Sequence, residues 1–137
     1  MEKEHSDMNE NREAFVERMK GEGLEVHLPD DDMLFIDIDN KDQLLVFRRC
    51  YPIFARDVSV VETLATVSKS GIGIHVRIKM KGKLSHEERI AWQAALGSDP
   101  VRELLSMIRY HNSDDHPTLF VEKPGWDEHP KTAEFYL

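Results

Sequence analysis

Asp37 and Asp39 stand two residues apart at the end of an apolar run, Met33-Leu34-Phe35-Ile36-Asp37-Ile38-Asp39. On a strand that spacing puts both carboxylates on one face, where together they can hold a hard divalent cation such as Mg²⁺ or Mn²⁺. A cation so held can bridge phosphate oxygens that bare carboxylates would repel. Further along, Ser68-Lys69-Ser70-Gly71-Ile72-Gly73 leads into Ile74-His75-Val76-Arg77-Ile78-Lys79. The backbone amides of such a turn, with Ser68 and Ser70, can cradle a phosphate, and His75 and Arg77 can contact it directly. Glu122, which alternates with Val121 and Leu119, is a candidate third acid for the metal. The chemistry these residue types favour is metal-assisted nucleotide handling.

Each group also has a plainer role. A strand ending in Asp-Ile-Asp-Asn before a helix supplies N-cap residues, and Asn40 with Gln43 resembles a capping pair. Capping explains Asp39 or Asn40 but not Asp37, which sits among apolar residues. Ser68 to Gly73 suits a hairpin turn, His75 suits an exposed strand position, and Arg77 and Lys79 suit a solvated face. Asp30 to Asp32 lacks the spacing of an EF-hand loop. No pair among His86, His111, His116 and His129 has the spacing of a zinc helix, and Cys50 has no evident partners for a thiol nucleophile.

The elements that must position these residues follow from period and punctuation. Asn9 to Lys20 reads as an outer helix ending at Gly21 and Gly23, and Leu24 to Leu28 as a short edge strand. Met33 to Asp39 reads as a strand. Asn40 opens a helix with Leu44, Phe47 and Tyr51 on one face, expected to stop or kink near Tyr51 because Pro52 follows. Val58 to Val67 and Ile72 to Met80 read as a strand pair. Ser85 with Glu88 marks a capping box, Gly97 closes that helix, and Asp99-Pro100 opens another with Val101, Leu104, Leu105 and Ile108 on one face. Thr118 to Lys123 is the final strand.

From Met33 the order is β-α-β-β-α-β, that of an α+β, ferredoxin-like or RRM-like antiparallel sheet with helices on one face and an extra N-terminal helix. In that arrangement Leu34, Ile36 and Ile38 face the helices with Ile74, Val76 and Ile78, while Asp37 and Asp39 share the other face with His75, Arg77 and Lys79. The fourth strand is expected to flank the first and bring Glu122 near Asp37. One domain over 1–137 is expected: a helix and acidic loop over 1–32, the core over 33–123 and a tail over 124–137.

Composition sets the outer limits. The 137 residues carry a net charge of -8, with 40% hydrophobic and 32% charged residues and one cysteine, as a small acidic soluble domain does. A pI near 5.3 excludes the global basic field of a tight nonspecific nucleic-acid binder, so polyanion contact must come from a local patch or a bound metal. One cysteine excludes an internal disulfide, no apolar run spans a bilayer, and Met1 to Glu10 are charged rather than signal-like. A cytoplasmic location is the expectation.

Phe35-Ile36-Asp37-Ile38-Asp39 resembles the hydrophobic-Asp-hydrophobic-Asp motif of the archaeo-eukaryotic primase superfamily. Ser68-Lys69-Ser70-Gly71-Ile72-Gly73-Ile74-His75 is similar to the Ser-Gly-rich stretch ending in His of its phage primase-polymerase branch, and the two motifs come in the family's order. The resemblance spans roughly Met33 to Lys79. It implies an RRM-like palm in which Asp37 and Asp39 bind catalytic Mg²⁺ or Mn²⁺ and Ser70 and His75 contact the phosphates of a nucleoside triphosphate. The implied activity is nucleotidyl transfer on DNA or RNA, as in DNA replication. The rival expectation is a noncatalytic ferredoxin-like module whose open sheet face binds a protein or an oligonucleotide without metal.

Overall fold

The computed structural model describes residues 12–67, 73–113, 119–125 and 131–132. Among them it is an α+β structure of four helices and two small antiparallel sheets, compatible with a ferredoxin-like arrangement. The strands are β1 (Glu25–His27), β2 (Met33–Ile38), β3 (Val60–Val67), β4 (Ile74–Met80), β5 (Phe120–Glu122) and β6 (Lys131–Thr132). The helices are α1 (Arg12–Gly21), α2 (Lys41–Asp57), α3 (His86–Ala95) and α4 (Pro100–His111). The larger sheet runs β2-β4-β3-β6, and β1 pairs with β5 in the smaller.

Period-2 patterning sets the register of the central strands. Leu34, Ile36 and Ile38 stand opposite Ile78, Val76 and Ile74, and these six side chains lie on the face covered by α2. Phe47, Tyr51 and Phe54 of α2 complete that core with Leu96, while Trp92 of α3 meets Phe54 edge-on at 5.1 Å. The Tyr51 hydroxyl donates to Thr63 Oγ1 at 2.7 Å, so its polar tip is satisfied at the core's margin.

α2 does not stop at Tyr51; it continues through Pro52 to Asp57. Pro52 lies on the exposed side, where water meets the disrupted turn, and the next turn buries Phe54. Hydrophobic burial outweighs the lost amide.

The expected fourth strand does not flank β2. β5 pairs instead with β1, placing Glu25 opposite Glu122 and His27 opposite Phe120. The outer edge of β2 is already engaged by the α3–α4 hairpin. The Phe35 amide donates to Gln93 Oε1 at 2.8 Å and the Asp37 amide to Ser98 Oγ at 3.0 Å. The Met33 carbonyl accepts from Arg89 Nε at 3.0 Å, and the Asp37 carbonyl from the Asp99 amide at 2.8 Å. With these groups paired, no strand can add there. The β1–β5 ribbon instead lies across the sheet face opposite α2, as the contacts of Phe120 and Glu122 below establish.

The capping box at Ser85 forms as the sequence predicts: Ser85 Oγ accepts from the Glu88 amide and Glu88 Oε1 from the Ser85 amide, each at 3.1 Å. Ser85→Ala leaves the Glu88 amide without its acceptor and is expected to lower stability by about 1 kcal/mol. A urea melt with an unchanged slope is the check.

Candidate functional site

Three strands put one row of side chains on the face opposite α2. Asp37, His75 and Thr66 are neighbours across β2, β4 and β3, and Phe35, Arg77 and Leu64 form the next row. Asp37, His75 and Arg77 therefore share a face, as alternation requires. Lys79 is exposed further along β4.

The face is covered rather than open. The Phe120 ring lies parallel to His75 at 3.9 Å and to Phe35 at 4.3 Å, and the Arg77 guanidinium sits over both phenyl rings. Glu122, 1% exposed, reaches the same row from β5. One of its oxygens accepts from Arg77 Nη2. The other accepts from His75 Nδ1 at 2.8 Å and from Thr66 Oγ1 at 3.1 Å. Burial works against the Glu122 charge, yet the hydrogen bonds and positive charge of His75 and Arg77 prevail and pull its pKa down to about 2.

This network corrects two expected roles. His75 and Arg77, 6% and 5% exposed, are engaged beneath the ribbon and present no surface to a phosphate. Glu122 is the counter-charge of that pair and not the third acid beside Asp37 and Asp39. Ser68 and Ser70, assigned to phosphate from the sequence, lie outside the described residues.

The carboxylates converge elsewhere, where β2 ends against the start of α4. Asp37, Asp39 and Asp99 each offer an oxygen within 4.8 Å of the others. Asp37 arrives from the strand. Asp39 follows it, with its amide donating to Gln43 Oε1 at 2.7 Å. Asp99 is fixed by its backbone N–H, which donates to the Asp37 carbonyl, and its side chain caps α4 by accepting from the Val101 amide at 3.0 Å. Asn40, not Asp39, caps α2, its Oδ1 accepting from the Gln43 amide at 2.9 Å. The capping explanation thus leaves the Asp39 carboxylate unassigned.

Electrostatics at this end are unfavourable without a cation. Burial and the neighbouring Asp37 and Asp99 raise the Asp39 pKa to about 6. One Asp37 oxygen, Oδ1, is buried with no hydrogen-bond donor in reach; the nearest cationic group, His75 Nε2, is 3.6 Å away. Arg102 lies behind the cluster, donating to Ser98 Oγ at 3.0 Å. Three carboxylate oxygens are a donor set for Mg²⁺ or Mn²⁺, whose octahedral ligands stand about 3 Å apart when adjacent and about 4 Å when opposite.

Asp99 was not singled out from the sequence. Its Asp-Pro context announces a helix start, and only the long-range pairing with β2 places it beside Asp37. Among the described residues no helix is long and apolar enough to cross a membrane. No protein-family model matches the chain, and neither a curated protein nor a solved structure matches it.

Proposed function

We propose that this chain is a divalent-metal-dependent nucleotide- or nucleic-acid-handling domain, in which Asp37, Asp39 and Asp99 hold Mg²⁺ or Mn²⁺. The convergence of those three carboxylates carries the reading. The ion would supply charge neutralisation for the phosphate oxygens of a nucleoside triphosphate or polynucleotide. Phosphate is then held through the ion and not by His75 or Arg77. The resemblance of the Asp37-Ile38-Asp39 motif to the primase superfamily points the same way, and an active form would be a cytoplasmic nucleotidyltransferase. The β2-β4-β3 order agrees with a ferredoxin-like palm whose fourth strand has left the sheet to join β1.

A noncatalytic interaction module is the second reading. It is supported by the engagement of His75 and Arg77 beneath the ribbon, and with that sheet face covered its partner surface lies elsewhere than on the open face expected from the sequence.

Thermal melts and calorimetric titration with Mn²⁺, then Mn²⁺ plus a nucleoside triphosphate, test the first reading. Saturating Mn²⁺ at about 100 times its dissociation constant is expected to add about 2.7 kcal/mol of stability. Asp37→Asn with Asp39→Asn is expected to abolish that gain. The pH dependence has a definite sign. A raised carboxyl pKa favours folding below the ordinary 3.8, and that contribution is lost as pH rises through about 6. Metal affinity is therefore expected to fall as pH drops below about 6, where protons compete for Asp39. Equal, metal-independent melting of both proteins would leave the interaction module as the reading.

A further inference from the structure

The His75 ring is held at every position but one. It lies parallel to Phe120 at 3.9 Å, and its Nδ1 donates to Glu122 Oε2 at 2.8 Å, the oxygen that also accepts from Thr66 Oγ1. Its backbone is paired across the sheet with Asp37. Among the described residues its other nitrogen, Nε2, makes no hydrogen bond. Asp37 Oδ1 stands 3.6 Å from that nitrogen and is itself buried without a donor. The His75 side chain is 8% exposed, so bulk water does not serve Nε2 either.

An imidazolium donating to a carboxylate closes to about 2.8 Å, and a separation of 3.6 Å is not a hydrogen bond. Two donors of one octahedral ion, by contrast, stand about 3 Å apart when adjacent and about 4 Å when opposite. The observed spacing lies between those values.

We propose that His75 Nε2 is a ligand of the ion held by Asp37, so that the centre takes a nitrogen besides its carboxylate oxygens. The inference rests on the carboxylate reading above and narrows the class of ion. Ligating histidines characteristically donate the far ring N–H to a carboxylate, which fixes the ring and leaves one nitrogen to bind. Glu122 supplies that carboxylate. With Nδ1–H committed to it, Nε2 is the atom left, and the ion takes the place of any proton there. Mg²⁺ and Ca²⁺ keep oxygen ligands, whereas imidazole suits Mn²⁺, Co²⁺ and Zn²⁺ better. The ion is thus of the transition-metal class. The ribbon that hides His75 from phosphate acquires a purpose in this arrangement, because Phe120 and Glu122 are what aim Nε2 at Asp37.

Calorimetry with Mn²⁺ and Mg²⁺, and pulsed electron paramagnetic resonance of the Mn²⁺ complex, test this on the full chain. Wild type is expected to bind Mn²⁺ at least about tenfold more tightly than Mg²⁺ and to show hyperfine coupling from a directly bound nitrogen. Labelling histidine with the heavy nitrogen isotope should change that coupling. His75→Asn keeps an amide to donate to Glu122 and has no atom at the Nε2 position. It is expected to lose the coupling and at least about tenfold in Mn²⁺ affinity, with Mg²⁺ affinity altered less. The wild-type spectrum decides the matter even if that variant does not fold. The chain has seven histidines, so Asp37→Asn with Asp39→Asn serves to exclude a surface one as the source. Mn²⁺ bound without nitrogen coupling overturns this inference and leaves the carboxylate site standing. Coupling that persists in His75→Asn or in the double aspartate variant assigns the nitrogen elsewhere and also overturns it. No binding of either ion overturns both readings.

Discussion

Glu122→Gln is expected to lower the free energy of unfolding by roughly 3–5 kcal/mol, because it leaves the buried Arg77 charge without its counter-ion. The amide keeps the volume, so the effect reads charge rather than packing. For a chain of this length the melting midpoint should fall by about 10–20 °C. The loss should concentrate on one element: β5 has three residues, and its hold on the larger sheet is the Glu122 network together with the Phe120 stack. Hydrogen exchange at the β1–β5 pairs should therefore rise more than exchange in β4. Glu122→Leu combined with Arg77→Met removes both charges and should recover part of the loss, the remainder belonging to His75 Nδ1. Acid should mimic the single variant. A carboxyl held at about 2 contributes stability that is present above its ordinary 4.5 and lost as pH falls toward 2. If Glu122→Gln melts within 2 °C or so of wild type, the network does not hold the ribbon.

Gly97→Ala is expected to cost roughly 2–5 kcal/mol, the sum of a left-handed backbone penalty and a collision that cannot relax. Gly97 has φ +90, and an added Cβ would stand 2.7 Å from the Gln43 carbonyl oxygen and 3.2 Å from the Phe47 nitrogen. Both atoms belong to the backbone of α2, so no rotamer change relieves them. The turn must lift away from α2. Ser98 and Asp99 would lift with it and loosen their bonds to Asp37, so Mn²⁺ affinity should fall alongside stability. Gly82, with nothing within 4 Å of the same added atom, is the control, and Gly82→Ala should stay within about 0.5 kcal/mol of wild type. Chemical denaturation of the two variants checks the pair, and equal midpoints would contradict the close packing at Gly97.

Much of the geometry is legible in residue order because a two-residue period admits few readings. The alternation in Met33–Ile38 and Ile74–Met80 sets Asp37, His75 and Arg77 on one face, and the Ser85–Glu88 spacing marks a helix start. Three features are not local. The partner of a three-residue strand cannot be read from its own pattern, so β5 was expected beside β2 and lies beside β1. The covering of His75 and Arg77 follows from that choice. A helical stripe says which side is apolar but not which side faces inward, and α4 turns its stripe out because Gln93, Ser98 and Phe120 favour its polar side. Asp99 joins Asp37 through contacts spanning most of the core, and its own neighbours in sequence announce only a cap. Pro52 marks a helix end by its chemistry, yet burial of Phe54 two residues later carries the helix past it.

The engagement of the outer edge of β2 by side chains has a consequence for colloidal behaviour. A short apolar strand, Met33–Ile38, at the margin of an antiparallel sheet would otherwise template intermolecular cross-β pairing, the route by which exposed edges seed aggregates. Here Gln93, Ser98 and Arg89 occupy the groups that a foreign strand would need. The guard is neither a proline nor a charge within β2. It is carried by α3 and the turn that follows, so solubility of the first core strand depends on residues more than fifty positions downstream, and nascent chains lacking them expose that edge.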